Sequence, residues 1–204
     1  MKDLELEVKY YLSDVASVEK RIAELGGSLV QKRTHEINIR FDTEDLELSK
    51  GGKILRLRHD SAFHLTYKGP GRKENGVTAR HEIEFTLDDF RAAREMILAL
   101  GYQVQMIYEK FRTTYEWRGT HITLDEMPYG NFVEIEGTDT TMIQRVSQGL
   151  ELDWDVRIFE SYTVLFELMR KKLGLSFRDL IFENFAGMEI SPENLNVRPA
   201  DVHL

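Results

Sequence analysis

Apolar and charged residues alternate with a period of two along most of the chain. In Leu4-Glu5-Leu6-Glu7-Val8-Lys9-Tyr10 every even position is apolar and every odd one charged, which predicts a strand with two unlike faces. The same pattern marks seven further segments. Ile37, Ile39 and Phe41 alternate with Asn38, Arg40 and Asp42. Leu55 and Leu57 alternate with Arg56 and Arg58, although Ile54 breaks the run. Phe63, Leu65 and Tyr67 alternate with His64, Thr66 and Lys68, and Ile83 and Phe85 oppose Arg80, Glu82 and Glu84. Ile107, Phe111, Tyr115 and Trp117 stand against Lys110, Arg112 and Glu116. Ile122 and Leu124 oppose Thr123 and Asp125, and Val133 and Ile135 oppose Glu134 and Glu136.

Helical spacing lies between these strands. A helix from about Val15 to Leu25 stops at Gly26-Gly27, and one from Asp88 to Leu100 stops at Gly101. Each precedes a group of strands, so the chain divides into two halves of similar layout. A third helix covers roughly Met142 to Leu150. After about Asp153 the alternation ends, and Arg157 to Leu173 carries Ile158, Tyr162, Leu165, Phe166 and Met169 along one side. Phe177 to Phe185 is a shorter helical stretch, and from Ile190 onward the chain reads as an extended tail. Residues 1–152 are thus expected to form one strand-rich domain and 153–204 a helical appendage packed on it. Gly69 to Gly76 is rich in turn residues and reads as a loop over the strands.

A half-buried strand ordinarily turns its polar face to water. Here those faces hold like-signed pairs two residues apart: Glu5 with Glu7, Arg56 with Arg58, Glu82 with Glu84, Lys110 with Arg112, and Glu134 with Glu136. Such pairs lie roughly 7 Å apart on one face and repel unless a counter-charge sits between them. Paired carboxylates ask for a cation and paired Arg or Lys for an anion. Eight antiparallel strands closed into a barrel leave room inside for one small ligand. The expected fold is therefore α+β, an eight-stranded antiparallel barrel with a charged interior, its apolar outer face covered by helices.

Composition narrows the setting without changing this picture. The 204 residues are 42% hydrophobic and 30% charged, and the net charge of −8 is opposite to that of most nucleic-acid binders. Cysteine is absent, which removes disulfides and thiolate metal sites. No apolar run approaches the ~18 residues of a membrane span, and the first residues lack a signal-peptide pattern. A cytoplasmic protein without nucleic-acid or membrane partners is the default expectation; oligomeric state is open. There is no P-loop, no His spacing for zinc and no local signature of a Ser-His-Asp triad.

The residue types specify a chemistry. Mg²⁺ and Mn²⁺ prefer oxygen donors and usually share them with substrate phosphates. Glu5, Glu7, Glu134, Glu136 and Asp125 are candidate ligands, with Glu82 and Glu84 as further ones. Lys9, Arg56, Arg58, Lys68, Arg80, Lys110 and Arg112 are candidates for phosphate, with Arg40 a weaker one. Phosphoryl transfer needs mainly positioning and neutralisation of charge.

Taken in order, these segments resemble the CYTH superfamily, or triphosphate tunnel metalloenzymes. Glu5-Leu6-Glu7-Val8-Lys9 matches its Glu-x-Glu-x-Lys opening. It is followed by Leu55-Arg56-Leu57-Arg58, Thr66-Tyr67-Lys68-Gly69-Pro70, Arg80-His81-Glu82-Ile83-Glu84, Glu109-Lys110-Phe111-Arg112, Leu124-Asp125 and Gly130-Asn131-Phe132-Val133-Glu134-Ile135-Glu136. The resemblance implies an eight-stranded tunnel and metal-dependent chemistry at a triphosphate. It directs Glu5, Glu7, Asp125, Glu134 and Glu136 toward metal, and the seven Lys and Arg residues toward phosphate; Glu5, Glu7, Lys9, Glu134 and Glu136 are the expected catalytic set. The pattern is nearest the class IV adenylyl cyclase branch, whose relatives also hydrolyse thiamine triphosphate or inorganic triphosphate. ATP cyclisation to cyclic AMP and pyrophosphate, hydrolysis of those triphosphates, and a non-catalytic polyphosphate- or nucleotide-binding module all stay open. One departure is Arg40-Phe41-Asp42, where relatives often carry an aromatic before Phe-Asp; Arg40 either adds a substrate contact or lies outside the tunnel.

Overall fold

Short polar side chains open the longer helices by taking up N–H groups that a first turn leaves without acceptors. In the computed structural model of the protein, which describes residues 4–202, Asp14 accepts from Ala16 and Ser17 N–H to open α1 (Val15–Glu24). After the short α2 (Glu47–Lys50), Asp89 caps α3 (Phe90–Ala99), Asp139 caps α4 (Thr140–Gly149) and Ser161 caps α5 (Tyr162–Leu173). Gly26 and Gly101, at φ +83° and +92°, turn the chain out of α1 and α3, a backbone that only glycine adopts freely.

The strands are β1 (Leu4–Leu12), β2 (Ser28–Asp42), β3 (Ile54–His59), β4 (Phe63–Lys68), β5 (Arg72–Glu74), β6 (Val77–Leu87), β7 (Gln103–Trp117), β8 (Thr120–Met127) and β9 (Gly130–Gly137). Their order is β1-β9-β8-β7-β2-β3-β4-β6, and β6 pairs back onto β1. Eight antiparallel strands thereby close into a ring, as the alternation predicted. The charged faces point into it. The apolar faces point out, where α1 and α4 lay Val18, Ile22, Ile143 and Val146 against Leu6, Val8, Ile122 and Ile135. On the other flank α3 sets Ile97 against Ile39, Phe41 and Leu57. Burying apolar surface on both flanks, at about 25 cal/mol per Å², is what holds a ring with a charged interior closed.

Three segments differ from the expectation. Gly69 to Gly76 is not simply a loop: Arg72–Glu74 forms β5, hairpinned onto β6 through Asn75 and Gly76 at φ 48° and 85°. Asn-Gly is the pair best suited to a two-residue turn with both φ values positive, so this hairpin carried a signal in the sequence. Strand β2 begins at Ser28, well before Ile37, because its polar first half pairs with Glu109 to Glu116 of β7 across two register shifts. The helix expected from Arg157 begins only at Tyr162, since Ile158 donates its N–H to the Lys9 carbonyl at 2.9 Å and is held extended.

The end of the chain also departs from the helical reading. Residues 177–185 hold only a 3₁₀ turn, Phe182–Phe185, because Leu180 is clipped between Ile107 and Glu109 by two 2.9 Å backbone bonds. The tail contains a second such turn, Pro192–Leu195, and then pairs Pro199 with Tyr11. Inside the ring Tyr11, Met106, Tyr108 and Phe132 join Ile158, Tyr162, Phe166, Met169, Leu180 and Phe185 in one buried apolar cluster. The C-terminal segment thus stoppers one end of the ring.

Candidate active site

The open part of the ring is a cavity of about 530 Å³, and the inward residues of nearly every strand line it. Glu5, Glu7 and Lys9 enter from β1, Arg40 from β2, Arg56 and Arg58 from β3, Lys68 from β4, and Arg80, Glu82 and Glu84 from β6. Tyr108, Lys110 and Arg112 come from β7, Thr123 from β8, Glu134 and Glu136 from β9, and Ser161, Tyr162 and Thr163 from the start of α5. Every predicted site residue except Asp125 therefore reaches one cavity, and Arg40 lies inside it.

Carboxylates gather at one pole. Glu7 stands directly opposite Glu136 in the β1–β9 ladder, and Lys68 reaches Glu5 at 2.8 Å and Glu82 at 3.3 Å. Burial raises the Glu5 carboxyl despite Lys68, with Glu82 adding to the rise. Burial, then Glu5 and Glu134, raise Glu7. Partial burial and then Glu5 push Glu136 up to about 7, an effect that solvent at the exposed rim screens. The four carboxylates Glu5, Glu7, Glu82 and Glu136 outnumber the two cations beside them, Lys68 and Arg80, the latter opposite Glu5 in the β1–β6 ladder.

Cations dominate the opposite wall. Arg56 and Arg58 share Glu84 at 3.3 and 2.9 Å, and Thr66 donates to the same carboxylate at 2.6 Å. Burial would raise Glu84, but Arg58 and Arg56 hold it below its ordinary value. Tyr108 accepts from Arg56 at 3.1 Å, and its phenol falls below the usual range because Arg56 and Lys110 outweigh burial. Between pole and wall, Lys9 meets Glu134 at 3.2 Å and Arg112 meets it at 2.6 Å. These cations keep Glu134 ionised well below the carboxylate range despite its burial.

Beneath the wall lies a second layer of charge. Asp125 has a fully buried side chain and receives Arg112 through two 2.6 Å bonds, Lys110 at 3.1 Å and Tyr162 at 2.8 Å. Its oxygens are occupied in orienting the two cations, so it acts behind the surface that ligands meet. Glu36, which the sequence reading did not single out, does the same from β2, lying 3.5 Å from Lys110. Burial favours its neutral form, but Lys110, Arg112, Arg58 and Arg56 hold it down to about 2. Its alternation with Asn38 and Arg40 was the available signal. Tyr162 has no such signal: it was assigned to the apolar stripe of a helix, yet Lys9 lies 4.3 Å above its ring.

The donor set suits a hard divalent cation shared with phosphate. It offers carboxylate oxygens alone, at Glu5, Glu7, Glu82 and Glu136, with Lys68 in ion-pair contact with Glu5 and Glu82. Among the described residues, no three His, Cys, Asp or Glu side chains converge tightly enough to hold an ion by themselves. Mg²⁺ keeps few protein ligands and completes its shell with water and phosphate. Unpartnered Nε atoms of Arg40, Arg56 and Arg80 are buried in the same cavity and provide donors for an anion.

A family model described as CYTH domain matches residues 3–161. Adenylate cyclase CyaB of Aeromonas hydrophila is 29% identical over 135 residues, spanning 64% of this chain and 67% of that protein. A candidate adenylate cyclase from Vibrio parahaemolyticus superposes with a TM-score of 0.71 at 22% identity, covering 82% of this chain and 99% of that one. HpAC1 from Hippeastrum, a candidate adenylyl cyclase described as having a dominant triphosphatase activity, gives 0.63 at 18% identity over 80% and 95% of the two chains. At those identities the structural likeness speaks for the fold. No helix among the described residues is long and apolar enough to cross a membrane.

Proposed function

The chain belongs to the CYTH domain family, and from that premise we propose that it is a divalent-metal-dependent enzyme that cleaves a triphosphate by attack of water on phosphorus. The observation that carries the reading is the division of one blind cavity into a carboxylate pole and a cationic wall. A free triphosphate matches the wall and its counter-cation matches the pole.

Each group has work in that reaction. Arg56, Arg58, Lys110 and Arg112 hold the phosphate oxygens as the P–O bond to the leaving phosphate breaks and the bond to water forms. Glu36, Glu84 and Asp125 fix those cations in place before the ligand arrives, so little reorganisation accompanies the reaction. Glu5, Glu7 and Glu136 would hold Mg²⁺ or Mn²⁺, with Glu82 and Glu134 beside them; when bound, the ion neutralises charge on phosphate oxygens. Lys9, fixed by Glu134 and the Tyr162 ring, stands between the pole and the wall. The likeness to adenylate cyclase CyaB favours a second reading, in which the ribose hydroxyl of ATP is the nucleophile. The nucleoside would then lie at the rim, on Leu4, Ile54 and Ile83. Hydrolysis is preferred because charged side chains dominate the cavity lining and leave a base few apolar contacts besides those three.

The test offers inorganic triphosphate, thiamine triphosphate and ATP separately, with Mg²⁺ and then Mn²⁺. Orthophosphate from either of the first two, with ATP intact, supports the hydrolase. Cyclic AMP and pyrophosphate from ATP would replace it with the cyclase. Metal-linked binding without any product would make the protein a binding module.

A further inference from the structure

Arg40 lines the cavity from β2. It faces Arg56 directly across the β2–β3 ladder, where like charges are unfavourable without an anion between them. Arg56 has Glu84 as a counter-charge. Arg40 has no carboxylate within ion-pair distance among the described residues; its Nη1 instead donates to the Thr163 hydroxyl at 2.5 Å, and its Nε is buried without a partner. Burial, then Arg56 and Arg80, outweigh Tyr108 and Asp42 and hold its guanidinium below the usual range. The spot is the closed end of the cavity. Thr163 belongs to the first turn of α5, where Ser161 takes up the Val164 and Leu165 N–H groups and the positive end of the helix dipole lies.

We propose that Arg40, Thr163 and the start of α5 form an added anion seat at the blind end of the cavity. The seat extends the cation row by one position, so the site takes a linear chain of four phosphoryl groups in preference to three. This rests on the reading of the cavity as a polyphosphate site. It assigns the stopper a part in choosing the ligand.

Calorimetric titration of the full chain with inorganic triphosphate and inorganic tetraphosphate, in chelator to prevent turnover, tests it through the ratio of the two affinities. One charge-assisted contact is worth about tenfold or more. The wild type should therefore bind tetraphosphate at least about tenfold more tightly. Arg40→Gln should bring the ratio near one whatever happens to triphosphate affinity itself, and Arg40→Lys should keep most of it. Thr163→Val, which frees the guanidinium without removing its charge, should lower it partway. A wild-type ratio near one overturns the seat, as does a ratio unchanged in Arg40→Gln, the result expected if Arg40 only pins α5. Failure of the wild type to bind either polyphosphate would instead overturn the triphosphate reading on which the seat depends.

Discussion

Arg112 grips Asp125 through two parallel bonds of 2.6 Å, from Nε and Nη2 to the two carboxylate oxygens. The Asp125 side chain is fully buried and Arg112 is 18% exposed. Arg112 lines the cavity and Asp125 lies behind it, so the pair's first effect is on whether the cationic wall exists at all. Replacing one member of a buried pair leaves an uncompensated charge, at about 3–5 kcal/mol. Asp125→Asn, which keeps the shape and part of the hydrogen bonding, should lose roughly 3 kcal/mol in denaturant unfolding and most of the activity. A variant as stable as the wild type would show that Lys110 and Arg112 do not depend on Asp125.

Stability should respond to pH in two opposed ways. Glu5 and Glu7 are raised above 4.5 and Glu136 to about 7, so between those values the folded chain binds more protons than the unfolded one. Stability from these groups falls as pH rises through that window. Glu36, held down to about 2, and Glu134 act in reverse, and their contribution is lost as pH falls below 4.5. With chelator present, Tm should peak near about pH 5 and decline toward pH 8. Mn²⁺ should raise Tm more at pH 8 than at pH 5, because the carboxylate pole is then ionised. A chelated protein whose Tm climbs from pH 5 to pH 8 would contradict the crowding of charge at Glu5 and Glu7.

Pole and wall should separate in kinetics. Glu134 touches both Lys9 and Arg112, so Glu134→Gln should lower kcat about a hundredfold or more, the scale of losing a preorganised electrostatic group. Arg56→Ala should act mainly on KM, raising it about tenfold. Full activity in Glu134→Gln would remove that residue from the reaction.

The C-terminal stopper should be inseparable from the ring. Tyr162 donates to Asp125 at 2.8 Å and packs its ring against Phe132. Tyr162→Phe should cost about 1 kcal/mol for the lost hydrogen bond, and Tyr162→Ala about 3–5 kcal/mol for the hole. A chain ending at residue 160 would leave Tyr11, Met106, Tyr108 and Phe132 uncovered within the ring. Circular dichroism and size-exclusion chromatography should find it unfolded or aggregated; a monomer with native sheet content would mean that the tunnel stands alone.

The strands were legible because their period is local: Leu6, Val8 and Tyr10 against Glu5, Glu7 and Lys9 state two faces within one segment. Like-signed pairs along single strands then implied that the charged face turns inward. The cavity residues on β1, β3, β4, β6 and β9 followed from that alternation alone. Less local features did not. Asp125 sits on the same alternating face as the ligand-facing residues, and only Arg112, Lys110 and Tyr162 closing over its oxygens put it beneath the wall. Ile158 and Leu180 lie in stretches that read as helical, yet backbone bonds to the Lys9 and Ile107 carbonyls hold them extended. Tyr162 reads as one apolar residue of a helical stripe, and becomes the floor beneath Lys9 only because that helix enters the open end of the ring. The sequence by itself determined which side chains share a face, since that depends on neighbours two residues apart. Which faces meet, which end is closed and which charges neutralise one another depend on contacts between residues far apart in the chain, and those only the closed ring decided.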